Sequence, residues 1–201
     1  MTKTRLEAFS DGVIAILITI MVLELGVPHG TDISALRPLA PVLLSYVLSF
    51  YNLALWWNNH HHLLQAARHV DGRILWANLY LLFWLSLLPW ATAWMGENEF
   101  ASIPVAAYGF ILLNAGVAYF LLVRAFIRHE GRDSVIAQAT GRDRKGIGSA
   151  VAYAAAVPIA LIAPWVSIGI YVAVALLWAI PDTRISSRLA HEEHHEGHGE
   201  A

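Results

Sequence analysis

Four stretches of the chain, residues 38 to 59, 74 to 96, 101 to 123 and 147 to 180, contain no Asp, Glu, Lys or Arg. A helix needs about 20 apolar residues to cross a hydrocarbon layer roughly 30 Å thick. Within that layer every backbone N–H and C=O has to be bonded inside the protein, which helices achieve one segment at a time. The first three stretches are each one helical span. The fourth is too long for one, and Pro164-Trp165 near its middle marks a turn between two short spans. A further apolar stretch, Phe9 to about Val27, holds Ser10, Asp11, Thr19 and Glu24 and brings the set to six. Only 14% of the 201 residues are charged, against about 25% in soluble domains. Too little polar surface remains for a soluble enzyme, a nucleic-acid binder or a disordered chain, so the expected fold is an all-α membrane protein of six transmembrane helices.

Basic residues gather on the cytoplasmic side of membrane proteins, which orients the six helices. Lys3 and Arg5 precede the first span, Arg68 and Arg73 lie between the second and third, and Arg184 and Arg188 follow the sixth. The fourth-to-fifth connection carries Arg124, Arg128, Arg132, Arg142, Arg144 and Lys145. Of the 13 basic residues, only Arg37 falls in a loop placed outside, and Glu97 and Glu99 occupy the outer third-to-fourth turn. Both termini are therefore expected in the cytoplasm. Trp56, Trp57, Trp76, Trp90, Trp94, Trp165 and Trp178 cluster toward span ends, the usual place for amphipathic rings.

With no cysteine, disulfides, thiolate chemistry and Cys-based metal sites are excluded. Acidic residues and the absence of a small-residue cleavage site around the first span argue against a cleavable signal peptide. The chain divides into a transmembrane domain over residues 1–183 and a polar His/Glu-rich cytoplasmic tail over residues 184–201. That tail contains His191, His194, His195 and His198. Its lack of apolar residues predicts disorder, ahead of a divalent-metal site.

Polar groups inside a span are costly and point to function. On a wheel turning 100° per residue, Ile16, Ile20 and Leu23 form a narrow aliphatic stripe with Gly12 and Thr19 at one margin, while Ser10 and Asp11 lie well away from it. Such a stripe also suits an ordinary lipid-facing or packing surface, and periodicity alone does not separate the two. Asp11 needs a donor elsewhere in the protein. The segment Trp56 to His62, W-W-N-N-H-H-H, reads as the end of the second helix. Adjacent helical side chains point about 100° apart, so His60, His61 and His62 do not converge on one ion. His60 or His61 is instead expected to donate to a buried acceptor such as Asp11, with Asn78 as a further partner.

The stretch R-L-E-A-F-S-D-G-V-I-A-I-L-I-T-I-M-V-L-E-L from Arg5 to Leu25 resembles the signature of the transmembrane protein 175 family of potassium channels. Its core is Arg5, Phe9, Ser10 and Asp11. The resemblance continues at Trp57, Asn59, His60 and His61, at Val70 to Asn78, and at Leu87 to Pro89. It implies a homotetramer of six-helix subunits in the lipid bilayer, with the first helix of each subunit lining a central pore for monovalent cations. Carried over residue by residue, Ile16 would be the narrowest ring, Ile20 and Leu23 would follow at successive turns, and Thr19 would supply hydroxyls. Arg5, Phe9, Ser10, Asp11, His60, His61 and Asn78 would form the network holding the pore helix. The implied activity is potassium-preferring conduction in a prokaryotic-type plasma membrane, with no cofactor, no catalysis and no nucleic-acid partner. An aliphatic ring can gate by dewetting.

Two other classes compete. An intramembrane metalloenzyme would use His60, His61, His62 and His69, and a secondary transporter would need inverted repeats, of which the sequence shows none despite prolines at 104 and 158.

Overall fold

A computed structural model describes residues 2–131, 133–141 and 143–179. The expected tail at 184–201, with Arg184 and Arg188, lies outside the described residues, as do Arg132 and Arg142. Every regular element among the described residues is helical: α1 (Lys3–Met21), α2 (Ala40–Ala66), α3 (Gly72–Ser86), α4 (Leu88–Glu97), α5 (Ser102–Glu130), α6 (Val135–Thr140), α7 (Arg144–Ala160) and α8 (Pro164–Ala179), with 3-10 turns at Val22–Glu24 and Ile33–Leu39.

Four helical stretches are long and apolar enough to cross a membrane: Lys3–Glu24, Ile33–Ala66, Gly72–Glu97 and Ser102–Glu130. Residues 147–179 of the fourth stretch fold as the expected hairpin, α7 and α8 meeting at residues 161–163 just before Pro164. Over the described residues its second arm, α8, has 16 residues, about 24 Å at 1.5 Å per residue.

Three boundaries differ from the sequence expectation. The first helix begins at Lys3, ahead of the apolar stretch that starts at Phe9, so Arg5 and Glu7 lie within it as well. The second runs on to Ala66, which places W-W-N-N-H-H-H inside the helix and not at its end. The third is broken at Leu87, between α3 and α4. Pro89 lies at the start of α4, where its missing N–H forfeits no helical bond to that segment but cannot serve the preceding one.

Helix α5 is the centre of the fold, packed against α3, α4, α7 and α8, with Tyr108, Leu112, Leu122 and Phe126 fully buried. Helix α1 leans on α2, α3 and α4 from the side. Two glycines permit close crossings. A Cβ on Gly96 would meet Val42 Cα at 2.8 Å and the Ser45 hydroxyl, and one on Gly109 would overlap the Tyr171 ring and hydroxyl. Tyr171 Oη donates to the Val105 carbonyl at 3.1 Å from that position. Gly109→Ala is therefore expected to push α8 from α5 and lower stability by about 1–3 kcal/mol, the usual range for overpacking. The midpoint of unfolding in detergent measures it, and an unchanged midpoint would refute the tight crossing.

The end of the bundle where α2 stops is tied by carboxylates. Glu130 Oε1 at the end of α5 accepts from the backbone N–H of Arg68 at 2.6 Å. Asp71 caps α3 by accepting from Ile74 N at 2.8 Å, and lies 3.5 Å from His129. That N–H bond, chiefly, holds the Asp71 carboxyl below the usual carboxylate range. With the folded value depressed, the cap's contribution is present above the ordinary carboxylate range and is lost as pH falls through the depressed value. Amide exchange at residues 72–75, corrected for its intrinsic pH dependence, should accelerate only in strong acid. In Asp71→Asn, which still caps, it should be insensitive to acid.

Candidate functional site

The opposite faces of α1 have different fates. Leu6, Ser10, Ile14, Leu17 and Met21, at intervals of four and three, are buried against the bundle. Arg5, Phe9, Gly12, Ile16, Thr19 and Leu23 repeat with the same intervals on the other side and are all exposed, Ile16 to 59% and Leu23 to 78%, with Ile20 beside them at 39%. The aliphatic stripe of the sequence thus lies on one open face. Thr19 Oγ1 donates to the Ile16 carbonyl at 3.0 Å. Its proton is turned into the helix, and its oxygen lone pairs remain available on the exposed side.

A directed chain of hydrogen bonds anchors the buried face. His60 Nε2 lies 2.7 Å from Asn78 Oδ1, Asn78 Nδ2 donates to Ser10 Oγ at 2.9 Å, and Ser10 Oγ donates to the Leu6 carbonyl at 2.9 Å. Because Asn78 directs its amide at Ser10, its carbonyl must accept, which assigns the proton of His60 to Nε2. Ser10, His60 and Asn78 are each fully buried. Three helices are joined by three polar side chains: α1 by Ser10, α2 by His60, α3 by Asn78.

The rest of the expected network is distributed differently. Asp11 is bonded to neither His60 nor His61. Its Oδ1 accepts from Trp57 Nε1 at 2.9 Å, because Asp11 lies at the margin of the buried face, level with Trp57 rather than His60. His61 stacks on Trp57 with ring centroids 5.5 Å apart, and its Nδ1 is 3.7 Å from Glu7 Oε1. Arg5 and Phe9 stand on the exposed face and take no part in the buried chain. Among the described residues no three His, Asp or Glu side chains converge as metal ligands.

Sequence reasoning missed a second buried polar cluster. The hydroxyls of Ser49 and Tyr108 are 3.0 Å apart and those of Thr92 and Ser49 2.6 Å, while Thr92 reaches the Leu88 carbonyl at 2.6 Å. Asn52 Nδ2 also approaches Tyr108 Oη, at 3.4 Å. The signal was present: Ser45, Ser49 and Asn52 recur at four and three residues, so one face of α2 is polar. Trp57 was read as an interfacial ring, although an indole N–H also seeks an acceptor when partly buried.

The family model described as endosomal/lysosomal potassium channel TMEM175 matches residues 5–89, the part that contains α1, the His60 segment and Asn78. A relative named as a potassium channel in Chryseobacterium sp. (strain P1-3) is 50% identical over 189 residues, covering 94% of this chain and 98% of that one. Another so named, in Chamaesiphon minutus, is 30% identical over 196 residues, covering 88% and 93%. The endosomal/lysosomal proton channel TMEM175 of Gallus gallus is 30% identical over 148 residues, but this chain spans only 29% of its length. Among solved structures, a lysosomal potassium-selective channel TMEM175 homolog from Chamaesiphon minutus superimposes with TM-score 0.76 at 28% identity, covering 89% of this chain and 96% of that one. With half of its residues identical to a potassium-channel relative over nearly its whole length, and the family model matching residues 5–89, the chain belongs to the TMEM175 channel family.

Proposed function

We propose that the chain is the subunit of a potassium-preferring cation channel, a homotetramer of six membrane-crossing helices with both termini in the cytoplasm of a prokaryotic-type cell, its pore lined by α1. The observation that carries this reading is the open face of α1. A helix apolar enough to cross a membrane has one face locked to α2 and α3 through buried polar bonds, while Ile16, Ile20 and Leu23 stand exposed beside a hydroxyl. Lipid alone does not call for that hydroxyl, whereas a four-fold axis makes these residues into rings. The names of the relatives support potassium as the permeant ion.

In this reading, Ile16 forms the constriction and Ile20 and Leu23 widen outward. Four Thr19 oxygens partly replace water lost by the ion. Potassium gives up hydration more readily than sodium, so selectivity arises from pore size and dehydration cost without a carbonyl filter. The anchoring chain Ser10–Asn78–His60 keeps α1 at a fixed distance from the axis. Arg5 and Phe9 continue the same face toward the inner mouth.

The chain has no cysteine, so Leu23→Cys introduces its only thiol. Liposomes loaded with potassium should lose it through the reconstituted protein, and a positively charged thiol reagent should cut that flux by more than half in Leu23→Cys alone. A flux indifferent to the reagent would place the ion path elsewhere.

A further inference from the structure

Away from α1, a groove of about 290 Å³ lies between α2, α5, α7 and α8, walled by Leu55, Trp56, Gly116, Phe120, Val151 and Trp178 among others. Its volume is at the low end for pockets that hold organic molecules, and its exposed walls are mostly carbon, so a hydrocarbon chain suits it better than a polar group. A Cβ placed on Gly116 would meet nothing within 4 Å. The groove is therefore open beside α5. Val117, Ile147 and Val151 are exposed at its edges, so in a bilayer it faces the acyl chains sideways.

Charge lies at one end. The Arg124 guanidinium rests 4.9 Å over the ring of Phe120, a wall residue, and Arg144 is exposed at the start of α7. Asp143, which also borders the groove, directs its carboxylate back onto the Gly146 N–H at 2.8 Å as the cap of α7. Arginine forks suit phosphate oxygens, and basic residues at the cytoplasmic face attract anionic lipid. Water entering such a groove would find few of the two to four polar partners it needs.

We propose that this groove is a lipid site that seats one acyl chain of an anionic phospholipid from the inner leaflet, its phosphate held by Arg124 and Arg144. The site bears on the pore helix through α2. Tyr119, on the groove wall, donates its hydroxyl to the Asn59 carbonyl at 3.1 Å, and the next residue, His60, is the end of the chain that anchors α1.

The full chain, reconstituted in phosphatidylcholine with small amounts of lipid carrying brominated acyl chains, provides the test, because bromine quenches tryptophan on contact. The difference between the wild type and Trp178→Phe isolates the signal of Trp178, one of the two indoles on the groove wall. Brominated phosphatidylglycerol should quench that signal with an association constant several-fold above that of brominated phosphatidylcholine. Arg124→Ala with Arg144→Ala should bring the two lipids level. Gly116→Leu, filling the groove, should remove the excess quenching by brominated phosphatidylglycerol, and Gly116→Ala, adding one methyl to the same open space, should reduce it in part and serves if the larger side chain prevents folding. Wild-type quenching retained in both Gly116 variants, or equal quenching by the two lipids in the wild type, would overturn the proposal. The readout involves no ion flux, so its failure leaves the conduction reading standing.

Discussion

Ile16→Asn is expected to raise potassium flux about tenfold or more and to flatten the preference for potassium over sodium. In the proposed tetramer a ring of four isoleucines would exclude water from a short length of pore, and an ion crossing it would leave part of its hydration behind. Four carboxamides in the same place offer donors and acceptors to water and to the ion. A reduction of only about 1.4 kcal/mol in the barrier is tenfold in rate, a modest demand on eight new polar groups. Ile16 is 59% exposed in the single subunit, so asparagine there disturbs no internal packing and the effect reads on permeation rather than folding. Ile20→Asn, one turn outward and less exposed, should act in the same direction by a smaller factor. Flux and selectivity identical to the wild type in both variants, measured in liposomes with potassium and sodium gradients, would remove the constriction from this stripe.

The second large effect is on assembly. Asn78→Leu keeps the side chain's size and deletes the two bonds that Asn78 makes between α3 and the other two helices, leaving the His60 donor without an acceptor and Ser10 without its donor. An unsatisfied buried group costs about 1–3 kcal/mol, although polar pairs between membrane helices average nearer 0.6. A loss of about 2 kcal/mol is therefore expected, seen as a lower unfolding midpoint and a smaller assembled fraction on size exclusion. His60→Leu added to Asn78→Leu should recover part of it, because replacing both partners by apolar groups removes the orphan. If the double variant is as unstable as the single one, His60 and Asn78 are not coupled.

The uncharged runs made the long helices legible because hydrocarbon tolerates no alternative, and Pro164 made the hairpin turn legible because its ring cannot continue a helix. The aliphatic stripe on α1 was legible in its periodicity, but which side it faced was not. Ile14 and Leu17 are as apolar as Ile16 and Ile20, and only the positions of Ser10 and Met21 against α3 and α4 decide which set is buried. The partner of Asp11 was unreadable for a similar reason. Trp57 and His61 lie one turn apart on the same helix, and the choice between them rests on how α1 is rotated against α2, a tertiary quantity. The break at Leu87 was missed because no charge interrupts residues 74 to 96, although Pro89 was a visible signal.

The bonds that hold α1 also set a timetable. Ser10 and Asn78 are separated by 68 positions, and a ribosome adding about 5–20 residues per second leaves roughly 3–14 seconds between them. During that interval α1 and then α2 occupy the membrane with Ser10 and His60 not yet bridged. Whatever inserts this chain must keep the first two helices from settling with other partners until the third arrives.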